Sequence, residues 1–137
     1  MMRIGELAKH SRLPVDTLRF YEKEGLIAEP PRNPAGYRDY PATTLQYLDF
    51  IRSAKAVGFS LQECRNLLAI FVRRDAHTCA EVKQLSEDKL QQLEDKMQAL
   101  QRMHQTLRAI SDACCGGEES AAHCSILNAL QQKELNP

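Results

Sequence analysis

Four of the five cysteines in this 137-residue chain lie in its C-terminal half, and their neighbours suit metal chemistry. Cys79 follows His77-Thr78, Cys114 and Cys115 are adjacent and run into Gly116-Gly117, and Cys124 follows His123. Glu118 and Glu119 lie in the same short segment. Thiolate, imidazole and carboxylate are the donors that hold zinc and other borderline or soft cations. Buried structural cysteine is the competing reading, because free cysteine is among the most buried residue types. Two features oppose it. Cys114-Cys115 sits in a polar, glycine-rich loop, and Cys79 sits where a long helix begins, a place where backbone amides favour thiolate. Redox sensing by the vicinal pair is the main rival to metal ligation. Cys64 differs from the rest: it falls among Leu61, Leu67 and Leu68 and reads as core. His10 reads as surface, and His104 falls on an apolar seam and reads as a packed histidine.

Composition narrows the class. Formal net charge is zero, but it divides unevenly: residues 1–76 hold 12 Lys/Arg against 9 Asp/Glu, and residues 77–137 hold 6 against 9. Any nucleic-acid binding must come from local placement of Arg and Lys. No apolar run approaches the roughly 18 residues that span a bilayer. The start, Met1-Met2-Arg3-Ile4-Gly5-Glu6, lacks the apolar core of a signal peptide, so a cytoplasmic protein is expected. In a reducing compartment, clustered cysteines bind metal or do redox chemistry more often than they form disulfides, and an odd cysteine count fits a closed disulfide framework badly. No nucleophile, base and pocket combination emerges, so no enzyme is expected.

The elements that must position these residues read as mainly helical. Residues 3–28 form two short helices joined by a tight turn at Pro14, with Gly25 as the C-terminal stop. A helix-turn-helix needs a polar and basic face on its second helix; Asp16, Thr17, Arg19 and Phe20 supply one. Residues 29–41 carry four prolines and a glycine, which forbid helix. Tyr37 to Tyr40 reads as a short strand in a wing that displays Arg32 and Arg38. Residues 42–57 form an amphipathic helix, and Ser60 with Glu63 forms a capping box for the next. Residues 80–111 contain no Gly or Pro. Leu90, Leu93, Met97, Leu100, His104 and Leu107 follow 3-4-3-4-3 spacing there, an a/d seam. One apolar stripe on a long helix must be buried on something, and a second copy of the chain is the nearest candidate. A short helix from Ser125 to about Lys133 ends the chain. Three regions follow: a winged helix-turn-helix head over 1–76, a dimerisation helix over 77–111, and a metal-binding loop with a short helix over 112–137.

Three runs carry a resemblance: Arg3-Ile-Gly-Glu-Leu-Ala, then Asp16-Thr-Leu-Arg-Phe-Tyr-Glu-Lys-Glu-Gly-Leu-Ile, then Gly36-Tyr-Arg-Asp-Tyr. Together they resemble the DNA-binding head of the MerR family of bacterial transcription regulators. The tail, with His77-Thr-Cys, Asp112-Ala-Cys-Cys-Gly and His123-Cys-Ser-Ile-Leu, looks like the family's zinc-responsive branch. The resemblance implies a homodimer with antiparallel long helices, Leu90, Leu93, Met97, Leu100 and Leu107 lying in the interface. It implies that Cys79 reaches across to Cys114 and Cys124 of the other subunit, and that one or two zinc ions bind per site. Cys115 would serve the second ion, with Glu119 or His123 as its remaining protein donor. In copper-sensing relatives the position matching Cys79 is typically serine, so a third thiolate here suits a divalent ion, with cadmium and lead also accepted. The resemblance also implies activation of a metal-efflux gene: the dimer binds a promoter, distorts it when metal is bound, and works with RNA polymerase. Arg19 and Tyr21 are the expected DNA contacts of the second helix, and Tyr37 and Arg38 those of the wing. A thiol-based redox regulator and a metal-storage protein with no DNA role are the alternatives.

Overall fold

The computed structural model describes residues 1–132. Six α-helices are present among them: α1 (Ile4–Ser11), α2 (Val15–Lys23), α3 (Ala42–Ala56), α4 (Leu61–Val72), α5 (Cys79–Asp112) and α6 (Ser125–Gln131), with short 3-10 turns at Arg74–Ala76 and Ala121–His123. The expected extension of the last helix to Lys133, and with it the end of the 112–137 region, lies outside the described residues.

The chain forms two compact units, one from Met1 to Lys89 and one from Leu90 onward. In the first, the turn between α1 and α2 is tight because Arg12 takes a left-handed conformation (φ 61°) and Pro14 supplies an extended entry to α2. The buried Ser11 hydroxyl accepts the Leu13 N–H at 3.3 Å, and the Arg52 guanidinium of α3 donates to the Ser11 carbonyl. Gly25, at φ 77°, lets the chain leave α2 while the Leu26 N–H closes on the Tyr21 carbonyl at 2.8 Å. Leu7, Leu18, Tyr40, Leu48, Ile51 and Cys64 are fully buried and form the centre of one core. Phe50 and Phe71 stack beside it with ring centroids 4.6 Å apart. α4 starts with the expected capping box: Ser60 Oγ accepts the Glu63 N–H, and the Glu63 carboxylate accepts the Ser60 N–H at 2.8 Å.

The wing departs from expectation. Tyr37 to Tyr40 is not a strand; the segment makes only two isolated antiparallel bridges, Met2 with Tyr40 and Arg32 with Arg38. Proline explains this, since Pro30, Pro31, Pro34 and Pro41 remove the donors a continuous ladder would need. The turn at its tip is held by the Asn33 N–H on the Tyr37 carbonyl (2.7 Å) and by Gly36 at φ 88°.

The compact head also runs past residue 76. Lys89, on α5, is 7% exposed and places its ammonium 2.8 Å from Glu63 Oε1 and 5.6 Å from the centre of the Phe59 ring. The first turns of α5 therefore pack as part of the head. From Leu90 onward no described residue is buried. Leu90, Met97, Leu100 and Leu107 are between 54% and 69% exposed, so the expected seam is an open apolar stripe on the single chain.

Candidate functional site

Two surfaces concentrate chemistry. The first is on the head. Arg3, Arg19, Arg32 and Arg38, with Tyr37 and the single carboxylate Glu6, line a hollow of about 730 Å³. Arg19 and Phe20 are exposed on α2, Asp16 is exposed in its first turn, and Thr17 is half-buried. Arg32 donates to the Gly36 carbonyl at 2.8 Å, which fixes its side chain on the wing turn. Tyr37 is exposed, with the Arg3 guanidinium 4.5 Å from its ring centre. Four guanidinium groups around one concave face form a surface suited to phosphate.

Tyr21, an expected DNA contact, instead faces the core at 4% exposure. It shares α2 with Arg19, but the two residues lie about 200° apart on a helical wheel and take opposite faces. Arg3 is a site residue that helical periodicity does not mark. It precedes α1 in sequence, and the pairing of Met2 with Tyr40 carries it to the wing (Met2 N–H to Tyr40 carbonyl 2.8 Å, the reverse 2.6 Å).

The second surface is the loop after α5. Cys114, Cys115, Glu119, His123 and Cys124 line one hollow of about 480 Å³. Five of the six expected metal ligands are thus brought to one place. Cys124 directly precedes α6, and the Leu127 and then the Ile126 N–H groups hold its thiol below the ordinary range, the Cys114 side chain adding to them. A thiol so biased toward thiolate is a competent metal donor. Gly116 turns the loop at φ 69°, and its N–H faces the Cys114 sulfur at 3.5 Å. The Glu119 carboxylate lies over Gly117 so closely that a Cβ there would overlap it.

The sixth expected ligand, Cys79, is exposed at the first residue of α5, and its immediate surroundings are Arg74, His77, Thr78 and Val82. Thr78 Oγ1 caps the helix there by accepting the Glu81 N–H at 3.2 Å. His77 is engaged: its Nδ1 lies 2.7 Å from Glu81 Oε2. Among the described residues of the single chain, no three His, Cys, Asp or Glu side chains converge closely enough to hold an ion. The donor set of the loop, thiolate with imidazole and carboxylate in reach, nonetheless fits a borderline or soft divalent cation. Cys64 stands apart, fully buried, its thiol pushed up chiefly by burial. Among the described residues no helix is long and apolar enough to cross a membrane.

Residues 2–69 match the family described as MerR HTH family regulatory protein, and residues 45–110 match the family described as MerR, DNA binding. The chain is 44% identical over 132 residues to the HTH-type transcriptional regulator ZntR of Escherichia coli (strain K12), covering 96% of this chain and 94% of that protein. Its fold matches the transcription regulator PbrR691 of Ralstonia metallidurans CH34, solved in complex with lead(II), with a TM-score of 0.84 at 38% identity, covering 95% of this chain and 99% of that one. It also matches the dual-function regulator MerR of Bacillus megaterium MB1, solved with mercury(II), with a TM-score of 0.74 at 29% identity over 96% of this chain and all of that one. The two family matches, the 44% identity and the shared fold lead to one conclusion: the chain belongs to the MerR family of helix-turn-helix transcriptional regulators.

Proposed function

We propose that this regulator senses zinc, accepts cadmium and lead, and activates a metal-efflux gene from the cytoplasm. The observation that carries this reading is the loop hollow, where Cys114 and the thiolate-biased Cys124 meet with Cys115, Glu119 and His123 beside them. Two thiolates alone satisfy a monovalent soft ion; a divalent ion wants more charge and more ligands. Cys79 is the exposed thiol left to supply a third. In an antiparallel dimer it would come from the other subunit. Lead(II) bound to PbrR691 and mercury(II) bound to its MerR relative support a site for soft divalent cations.

On this reading Cys114 and Cys124 hold the first ion with Cys79 of the partner subunit. Cys115 with Glu119 or His123 offers donors for a second. A bound cation supplies one thing, a crosslink between the loop and the other subunit's long helix. The Leu90, Leu93, Met97, Leu100 and Leu107 stripe carries the dimer, and the two heads meet successive major grooves of promoter DNA through α2. Arg19, Asp16 and Thr17 face the bases, while Arg3, Arg32, Tyr37 and Arg38 hold the backbone. Phosphate contacts set register, and sequence choice comes from base edges and DNA deformability. The crosslinked dimer favours a head-to-head angle that bends and untwists the promoter, realigning it for RNA polymerase. The shift requires the cation to bind that conformer more tightly than the other.

The test is a zinc titration of the reduced protein with direct metal analysis, for wild type and Cys79→Ser. Tight binding in wild type and its loss in the variant are expected, although Cys79 is absent from the loop. Equal binding by the variant would place the whole site within one loop. Free thiols that oxidise without binding zinc would leave a redox switch.

A further inference from the structure

The helix α2 and the wing share one largely buried carboxylate. Glu22, on α2, has a side chain only 9% exposed, and it accepts the Tyr40 hydroxyl at 2.8 Å. Its other oxygen lies 3.2 Å from Arg38 Nη1, and Arg38 itself is 35% exposed, with Glu29 a looser partner at 3.9 Å. Tyr40 is fully buried, and its backbone pairs in both directions with Met2. The segment carrying Arg3 is thereby fastened to the same residue that Glu22 holds. Acid is unfavourable on a face that meets a polyanion unless it organises the cations there. Glu22 meets that condition, because it is withdrawn from solvent while the guanidinium it holds lines the arginine-rich hollow.

We propose that Glu22 is the positioning residue that locks the wing to the recognition helix and presents Arg38 to the DNA backbone. The inference rests on the DNA-binding reading, in which α2 and the wing act together. Glu22 touches no DNA; it acts through Arg38 and Tyr40. Its loss frees Arg38 to sample directions that miss the phosphate, and it leaves the wing's angle to α2 undefined.

The experiment uses the full-length dimer and a fluorescent duplex selected by the wild-type protein from a random-sequence library, titrated by anisotropy across a salt series. Glu22→Ala is expected to bind about tenfold more weakly, with a salt slope flatter by roughly one phosphate contact. Glu22→Gln, whose one carbonyl oxygen can still accept from Arg38 while its amide N–H donates to the Tyr40 hydroxyl oxygen, is expected to recover most of that affinity. In an Arg38→Ala background, Glu22→Ala should cost clearly less than it does in the wild type, since only the Tyr40 tether is then left to lose. Zinc stoichiometry should be unchanged throughout. Wild-type affinity in Glu22→Ala would overturn the proposal, as would a loss fully additive with Arg38→Ala, or a lower unfolding midpoint with an unchanged salt slope. Should Glu22→Ala fail to fold, Glu22→Asp takes its place: a carboxylate one methylene short of Arg38 should show the same flattened slope, and wild-type behaviour overturns the idea. A wild-type protein that selects no duplex overturns the DNA-binding reading itself, a result distinct from a wild type that binds and a Glu22→Ala that binds equally.

Discussion

In the head, Leu7, Leu18, Leu48 and Ile51 are fully buried; in the tail, Leu90, Met97, Leu100 and Leu107 stay more than half exposed. Both sets come from the same pattern, apolar residues three and four apart on amphipathic helices. The head supplies α1 to α4 and the first turns of α5, so each stripe finds another to cover it. Among the described residues from Leu90 onward there is one long stretch of α5 and the seven-residue α6, whose Leu127 and Leu130 are exposed as well. Periodicity says which face is apolar. Only the number of elements says whether the chain can cover that face itself, and here the remedy is a second chain, as in a coiled coil.

The comparison breaks most sharply at Leu100, at a d-like position of the open seam. Leu100→Asp would place an unpaired carboxylate in the dimer contact. A weakening of dimerisation by roughly 100-fold or more is expected, given a desolvation cost of several kcal/mol. Sedimentation equilibrium reads it directly. The head should melt as before, since Leu100 is not a member of its core cluster. A variant that remains dimeric at wild-type concentrations would remove the seam from the interface.

The head was legible in the sequence because its signals are local. Pro14, Gly25, the Ser60–Glu63 box and the proline-rich 29–41 run each dictate backbone within a few residues, and the helix expected over 42–57 spans Ala42–Ala56. The strand expected over Tyr37–Tyr40 is absent, because the prolines around it remove the pairing. Tyr21 turns to the core because motif membership carries no information about face, and it lies opposite Arg19 on α2. Arg3 and Glu22 were invisible as site residues, since each depends on a contact with the wing that no spacing rule encodes. The loop was legible as chemistry. Thiols, imidazole and carboxylate in a glycine-rich turn advertise a metal, but the meeting of the Cys114 side chain with Cys124 comes from the fold.

A smaller effect should follow at the junction between the two regions. Glu63 is held at about 2, below its ordinary 4.5, first by its bond to Lys89 and then by the Ser60 backbone N–H. A carboxyl depressed on folding contributes stability that is fully present above 4.5 and lost as pH falls toward 2. Lys89→Met keeps the packing against Phe59 while removing the ammonium. The variant should lose less stability than wild type between pH 4.5 and 2, because its Glu63 carboxyl sits nearer its unfolded value. Its unfolding free energy should differ from wild type most at neutral pH. Denaturant unfolding at a series of pH values measures this, and parallel profiles for the two proteins would show that Lys89 does not set the Glu63 carboxyl.

The smallest expected effect isolates one helix end. Ser60→Ala removes the hydroxyl that accepts the Glu63 N–H, at a typical cost of about 1 kcal/mol. The loss should be confined to the head: hydrogen exchange in the first turn of α4 should quicken while amides of α5 beyond Leu90 keep their wild-type rates. Ser60→Asp restores an acceptor but adds a second carboxylate beside Glu63, so it should recover the cap while like-charge repulsion moves the Glu63 carboxyl upward. Ser60→Gly separates these, since glycine costs a cap only a few tenths of a kcal/mol and adds no charge. If Ser60→Ala instead quickened exchange along the seam beyond Leu90 as much as in α4, the head and the tail would be one cooperative unit, and the contrast between a self-sufficient core and a stripe awaiting its partner would fail at the level of stability while surviving at the level of packing.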